Sequence, residues 1–428
     1  MKTSHANSES DNLTWQPAFR AEFPLLQKVS YFQTGSVAPL SNTVREAVIH
    51  TLDAEGDAGL TSPRLLENLG PQIEATRAHL AAFLGVSSTE LGWTNNATMA
   101  IHYVIGSIQW QPDDVLVTSS TEHISTRTLQ QGLAQRRGVR NVIVPVEEGD
   151  QPFLRSLEQT LDREHQTRLL LLSHVSCLDG RRLPVAEATR LAHAHGVPVL
   201  VDGAQAVGQF PVNISDVGCD FYAGSARKWL LGPAGLGFLY VTQARLDRFF
   251  PDFVMAPGDT PPESQEEQAD SLSVARRTEI GTQSLATRAG LDAALTLLET
   301  VGLTTIERYV ARLSAHLRTG LQALPGISIL TPLGNQQSSG ITSFTLPDND
   351  LDHVQHAVSE LGERARVVVK VQLEFPAVRV SIAAFNTQDD VERLLQGLSS
   401  LLARPHIWGK RRPTRLGSYP FPRDPGSF

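Results

Sequence analysis

Two charged residues sit where an apolar core is expected. Asp202 follows "VPVLV" at the tip of a candidate buried strand, and Lys228 comes 26 residues later between "FYAGSAR" and "WLLGPAGLG". An acid at a strand tip can carry chemistry, or it can cap a helix or sit as a satisfied core group, and Gln205 is open to the same choice. Apolar neighbours on both sides of Lys228 would desolvate its ammonium and lower its pKa. A lysine so treated attacks carbonyls and shuttles protons; the alternative is a surface lysine whose stem alone is covered. As a pair, the two residues match the needs of pyridoxal 5'-phosphate, which takes a Schiff-base lysine and an acid facing its pyridinium nitrogen.

That cofactor also needs a phosphate cup. In "GWTNNATMAIH" (Gly92 to His102) small polar residues follow a short strand and precede an apolar helix. Backbone N–H groups at such a helix start suit a dianion, although "TNNAT" also reads as a simple capping turn. Ser225 and Arg227 flank the lysine and would add a hydroxyl and a permanent positive charge.

The elements that must hold these residues are legible in the pattern. "DVLVTSS", "NVIVPV", "RLLLLSHV", "VPVLVD" and "LGFLYV" read as short buried strands, and "IEATRAHLAAFLG" and "AEATRLAHAHG" as helices. Apolar strands alternating with amphipathic helices predict an α/β fold with a parallel sheet covered on both faces. In such sheets a ligand binds beyond the carboxyl ends of the strands, where Asp202 falls. Residues 1–30 read as a mobile or loosely docked N-terminal arm, 31–285 as a large domain, 286–405 as a small α/β domain and 406–428 as a basic, proline-rich tail. The small domain opens with a helix spaced Ile306, Val310, Leu313, Leu317, Leu321. "APGDTPPESQEEQADSLS" (256–273) reads as an acidic surface loop.

Composition narrows the partners. The 428 residues carry a formal charge of -8, which argues against general affinity for nucleic acid or anionic membranes. Two cysteines, Cys177 and Cys219, form no disulfide framework, and the 13 histidines show no metal-ligand spacing. His193 and His195 fall on a predicted helix as surface residues. The polar start "MKTSHANSESDN" lacks a secretory apolar stretch, and no apolar run spans a bilayer. A cytoplasmic enzyme acting on a small molecule is expected.

From about Tyr31 to Leu402 the chain resembles the fold-type I pyridoxal-phosphate enzymes of the class V aminotransferase and cysteine desulfurase family. "TNNATMAIH" is similar to the family's phosphate loop, which implies Ala97 and Thr98 at the phosphate. "TEHIS" is similar to its Glu-His motif, so His123 would stack on the pyridine ring. "VDGAQAVGQFPVNISDVGCDFYAGSARKWLLGPAGLGFLYV" resembles the core signature. It implies Asp202 on the ring nitrogen, Gln205 near the phenolic oxygen and Lys228 as the Schiff-base lysine. "RRTEIGTQS" implies that Thr282 reaches the partner subunit's phosphate, and "VRVSIAAFNTQDDV" that Arg379 grips a substrate carboxylate. The resemblance further implies a mostly parallel seven-stranded sheet in the large domain, a smaller α/β C-terminal domain, and a homodimer with shared active sites.

Departures from the family pattern carry information. Arg227 stands where relatives usually have His, and Cys177 in "HVSC" stands where many have Asn, close to the phenolic oxygen. "RARVVVKVQLEFPAVRVS" holds no cysteine, whereas desulfurases need a thiolate there to accept sulfur. Lys370 in that stretch adds a second positive group for a substrate acid, or is a solvated strand-end lysine. Residues Gln33 to Ser36 and the loop near Pro261 are expected to shape substrate choice. "YFQTGSVAPL" and "SARKWLLGP" are similar to segments of C–S lyases. The resemblance therefore implies β-elimination from cysteine, cystine, a cysteine S-conjugate or a cysteine sulfoxide, giving pyruvate, ammonia and a sulfur product. His123 would protonate the leaving group in that scheme. Transamination of an amino acid, or its epimerisation, is the alternative.

Overall fold

The computed structural model describes residues 13–249, 277–279, 281–334, 337–347 and 350–404. The acidic loop and the basic tail expected from the sequence lie outside them. The chain enters through α1 (Trp15–Ala21) and β1 (Ser30–Tyr31), followed by α2 (Asn42–Ala58) and α3 (Pro63–Leu84). The large domain continues with β2 (Leu91–Thr94), α4 (Ala97–Gly106), β3 (Val115–Ser119), α5 (Ile124–Arg137) and β4 (Arg140–Val144). Next come α6 (Asp150–Arg163), β5 (Thr167–Ser173), α7 (Val185–Ala194), β6 (Val199–Asp202), α8 (Ile214–Val217), β7 (Phe221–Ser225) and β8 (Gly237–Val241).

Seven of these strands form one sheet in the order β2-β8-β7-β6-β5-β3-β4. Every pairing among β3 to β7 is parallel, while β8 runs antiparallel to both β7 and β2. The apolar run "LGFLYV" alone gave no hint of that reversal. Its reason is the connection: residues 226–236 turn back without a crossover helix, and parallel neighbours need one. Alternation along the strands divides the interior in two. Val115, Val117, Leu170, Leu172, Val199 and Val201 face one core, and Leu116, Leu169, Leu171, Leu200 and Phe221 face the other with α4. Both faces are covered, as the near-continuous apolar strands require.

The chain continues with α9 (Leu285–Glu299), which packs against α2 and α3, and then with a C-terminal α/β unit of α10 (Leu303–Gln322), β9 (Ser328–Ile329), β10 (Ile341–Thr345) and α11 (Leu351–Ala365). That unit ends with β11 (Val367–Val368), β12 (Lys370–Gln372), β13 (Ala377–Ser381) and α12 (Gln388–Leu402). An antiparallel sheet, β12-β13-β10-β9, is its frame. Ile306, Val310, Leu313, Leu317 and Leu321 are all buried on α10, as their spacing predicts. No single helix among the described residues is long and apolar enough to cross a membrane.

The expectation of a loosely docked arm is corrected from residue 13 onward. Phe19, Phe23 and Leu26 are buried in the main core, and Arg20 pairs with Asp390 at 2.7 Å. Asp390 also accepts a hydrogen bond from Ser30 Oγ at 2.6 Å. β1 then adds to β11 in parallel. The segment thereby brings residues 33–37 across to the ends of the large sheet. Three aromatic or aliphatic anchors inside a polar stretch carried that information, and the polar first dozen residues masked it.

Candidate active site

Five parallel strands finish on a hydroxyl or a carboxyl: Thr94, Ser119, Ser173, Asp202 and Ser225 are the last residues of β2, β3, β5, β6 and β7. A strand that is apolar along its buried length can place a polar group only at its tip, where helices no longer cover it. A cavity of about 470 Å³ opens there. Ser173, Asp202 and Ser225 line it, together with Ala97 and Thr98 from the start of α4, His123 from the start of α5, and Gln205. Arg227 and Lys228 complete the floor from the turn after β7, and Ser36 of the 33–37 loop closes it together with Lys370 of β12 and Arg379 of β13. Cys177 lines it as well, as its position in "HVSC" suggested.

Two expected site residues lie elsewhere. Gln33 does not line the cavity: its side-chain amide donates to the carbonyl of Val369 at 2.6 Å, tying the loop to the 367–369 strand. The loop, not this side chain, contributes to the wall. Thr282 is exposed and outside the cavity of its own chain. Its segment is anchored through Glu279, which accepts from Arg77 at 2.6 Å and from the backbone N–H of Trp93 at 3.1 Å.

The lysine turn is held from several sides. The Trp229 indole N–H donates to Gln205 Oε1 at 2.8 Å, and the N–H of Ala38 donates to the carbonyl of Arg227 at 2.8 Å. Leu231 takes a left-handed φ of 60°, a conformation that costs a β-carbon residue energy and persists only under tight constraint. Burial lowers the pKa of Lys228 to about 8, against the opposing pull of Asp202. The Asp202 carboxylate is anchored through one oxygen, Oδ1, which accepts from the N–H of Ala204 at 2.9 Å.

At the other end, Asn96 caps α4 by accepting the Met99 N–H at 2.9 Å. The first N–H groups of a helix have no intrahelical partner, so those of Ala97 and Thr98 are available to an anion. Ser225 Oγ is buried without a hydrogen-bond partner, a state native proteins rarely leave uncompensated. Arg227 brings positive charge to the same wall. An unpaired hydroxyl, a helix N-terminus and a guanidinium around one space are the kinds of group that can hold a dianion.

Arg379 emerges from β13 opposite Lys370 of β12. Its guanidinium donates to the Cys177 carbonyl at 2.9 Å and to Ser36 Oγ at 2.8 Å. Gly35 permits this approach: a β-carbon there would lie 2.8 Å from Ser381 Oγ and 3.4 Å from the Arg379 guanidinium. Burial, then Arg379, lowers the pKa of Lys370. Burial raises that of Cys177, so this sulfur is a neutral thiol.

Sequence reading missed Glu122. It is wholly buried and accepts from Ser119 Oγ at 2.6 Å, Ser173 Oγ at 2.7 Å and the Ser173 N–H at 2.9 Å. Burial pushes its pKa up to about 7, with Asp202 adding in the same sense. Its position before His123 was visible, but full burial depends on the adjacency of β3 and β5, which no local pattern states. His193 and His195 are exposed, as expected, and no metal-binding cluster exists among the described residues.

The family model "Aminotransferase class-V" matches residues 31–394. A cysteine desulfurase of Shigella flexneri is 30% identical over 414 residues, covering 89% of this chain and 97% of the relative. An isopenicillin N epimerase of Streptomyces clavuligerus is 28% identical over 397 residues, covering 90% and 98%. The cystine C–S lyase C-DES, solved with its product cysteine persulfide, superposes with a TM-score of 0.80 at 27% identity, covering 88% of this chain and 99% of that one. A mutant of C-DES with glycine covalently linked to its PLP cofactor superposes with a TM-score of 0.80 at 28% identity, covering 89% and 98%.

Proposed function

The chain belongs to the class-V aminotransferase family of fold-type I, pyridoxal-phosphate-dependent enzymes, and from that premise we propose that it is a carbon–sulfur lyase. Its substrate would be cysteine, cystine, a cysteine S-conjugate or a cysteine sulfoxide, and its products pyruvate, ammonia and a sulfur compound. The observation that carries the lyase reading is the short turn joining β12 to β13, residues 373–376, "LEFP", which bears no thiol. Cys219 is buried, and burial raises the pKa of both cysteines, so neither serves as an exposed thiolate to accept sulfur. A sulfur leaving group would therefore depart directly.

The residues fit the cofactor. Thr98, the start of α4, Ser225 and Arg227 would hold its phosphate, Asp202 its ring nitrogen, and Lys228 its aldehyde carbon, with Gln205 beside the phenolic oxygen and His123 against the ring. Bound there, the cofactor supplies a cationic ring that accepts the electron pair released at the substrate's Cα. Lys228, with a pKa near 8, is partly neutral at physiological pH, and its Nζ would take the Cα proton. Arg379 and Ser36 would orient the α-carboxylate, and Lys370 offers a second positive group to an acidic side chain.

A homodimer and a cytoplasmic location are part of the proposal. Val37, Leu40 and Ile124 near the cavity, and Ile49 and Leu52 on α2, are exposed large apolar residues suited to a second copy. The exposed Thr282 would then reach that copy's phosphate cradle. The test is product analysis of the purified holoenzyme with cystine, S-conjugates and sulfoxides. Pyruvate with stoichiometric sulfur release supports the lyase. A keto acid accompanied by the pyridoxamine form of the cofactor replaces it with transamination, and inversion at Cα without release replaces it with epimerisation.

A further inference from the structure

His123 sits at the N-cap of α5 with its ring turned back onto its own helix. The backbone N–H of Ser125 donates to His123 Nδ1 at 3.2 Å, and Ser125 Oγ lies 2.7 Å from the same nitrogen. Thr98 Oγ1 donates to Ser125 Oγ at 3.4 Å, which leaves the Ser125 hydroxyl proton directed at the ring. A backbone N–H can only donate, so Nδ1 must accept, and the neutral ring then carries its proton on Nε2.

We infer that Ser125 is a positioning residue that locks His123 as a neutral imidazole with its proton on Nε2, so that His123 meets the substrate as a fixed hydrogen-bond donor rather than as an acid or base. The inference rests on the proposed placement of the cofactor against His123, and it replaces the expectation that this histidine protonates the leaving group. A neutral ring protonated only on Nε2 can hydrogen-bond a departing sulfur, yet it gives up no proton to it.

Charge and position support the lock. Protonating Nδ1 would set its N–H against the Ser125 N–H and against the positive end of the α5 dipole. Lys228 on the lysine turn and Lys370 on β12 face the ring and disfavour its protonation, while Asp202 on β6 and Glu374 beyond β12 favour it. Glu374 is drawn off by Arg127 of α5, at 3.5 Å. Burial, followed by Lys228, keeps the His123 pKa below the usual histidine value. Because Thr98 also belongs to the phosphate cradle, the chain Thr98–Ser125–His123 links the anion site to the ring that covers it.

The experiment is nitrogen-15 NMR of the histidine side chains in protein labelled at histidine, recorded with and without cofactor. His123 is assigned by its disappearance in His123→Gln. The expected result is the Nε2–H tautomer, without titration, across the range of about pH 6 to 8 where histidine normally changes charge. Ser125→Ala keeps the backbone N–H on Nδ1 but loses the hydroxyl, so it should retain the Nε2–H tautomer while moving the titration upward, and Ser125→Thr, which keeps the hydroxyl, should restore the original spectrum. An Nδ1–H tautomer, a neutral-range titration in the unaltered protein, or a Ser125→Ala spectrum identical to it would overturn the inference. The spectrum without cofactor reports the lock even if Lys228 binds none, so failure of the functional proposal would remain distinguishable.

Discussion

Replacing Asp202 by Asn changes one charge while preserving shape. Asn can keep the acceptor that receives the Ala204 N–H at 2.9 Å, so the cost to folding should stay within about 1 kcal/mol, that of a single altered hydrogen bond. The group turned toward the cavity changes from a carboxylate to an amide and can no longer hold a ring nitrogen in its protonated form. Hydrogen bonds to charged groups contribute roughly 1.5–3 kcal/mol, so the cofactor should dissociate about 10- to 100-fold more readily. Loss of the nearby anion also removes the opposing pull on Lys228, and its pKa should fall below about 8. Cofactor binding is followed by visible absorbance and fluorescence titration, folding by circular dichroism, and pyruvate release by a coupled assay. An Asp202→Asn protein that binds the cofactor as tightly as the original and turns over substrate at an undiminished rate would refute this assignment.

Gly35→Ala should destabilise the protein by about 1–3 kcal/mol, the usual cost of overpacking, because the new carbon would lie 2.8 Å from Ser381 Oγ and 3.2 Å from Gln205 Oε1; thermal denaturation measures it. Arg379→Lys removes the fork that reaches both Cys177 and Ser36, so KM should rise about tenfold, equivalent to one lost hydrogen bond of about 1.4 kcal/mol. Glu122, with its pKa raised from 4.5 to about 7, binds its proton more tightly in the folded state than in the unfolded one. Stability should therefore fall as pH rises from about 4.5 to about 7, by up to about 3 kcal/mol at 1.36 kcal/mol per unit. Glu122→Gln, which can still accept from Ser119 and donate to Ser173, should flatten that part of the profile in urea titrations at several pH values.

Much of the site was legible because its residues interrupt strong local patterns. Asp202 breaks an apolar strand and Lys228 breaks an apolar turn, so each announced itself, and the helix start at Asn96–Thr98 followed from its capping residues. The cavity gathers all of these at the carboxyl ends of the strands, where a parallel sheet places its ligands. What could not be read was adjacency without a local signature. β8 reverses direction through a long turn that resembles any other loop. Gln33 sits two residues from the cavity wall but points to Val369. Glu122 was visible in its Glu-His motif, but its burial against Ser119 and Ser173 shows only once β3 and β5 are side by side, and the docking of Phe19 and Phe23 depends on Phe385, more than 360 residues away.

The whole account rests on Lys228 as the residue that carries the cofactor covalently. Borohydride reduction of the cofactor-loaded protein, followed by protease digestion and mass spectrometry, tests this directly. The account predicts a phosphopyridoxyl adduct on the peptide containing Lys228 and its loss in Lys228→Ala. An unmodified Lys228 peptide with the adduct on Lys370, or on no lysine at all, would contradict it.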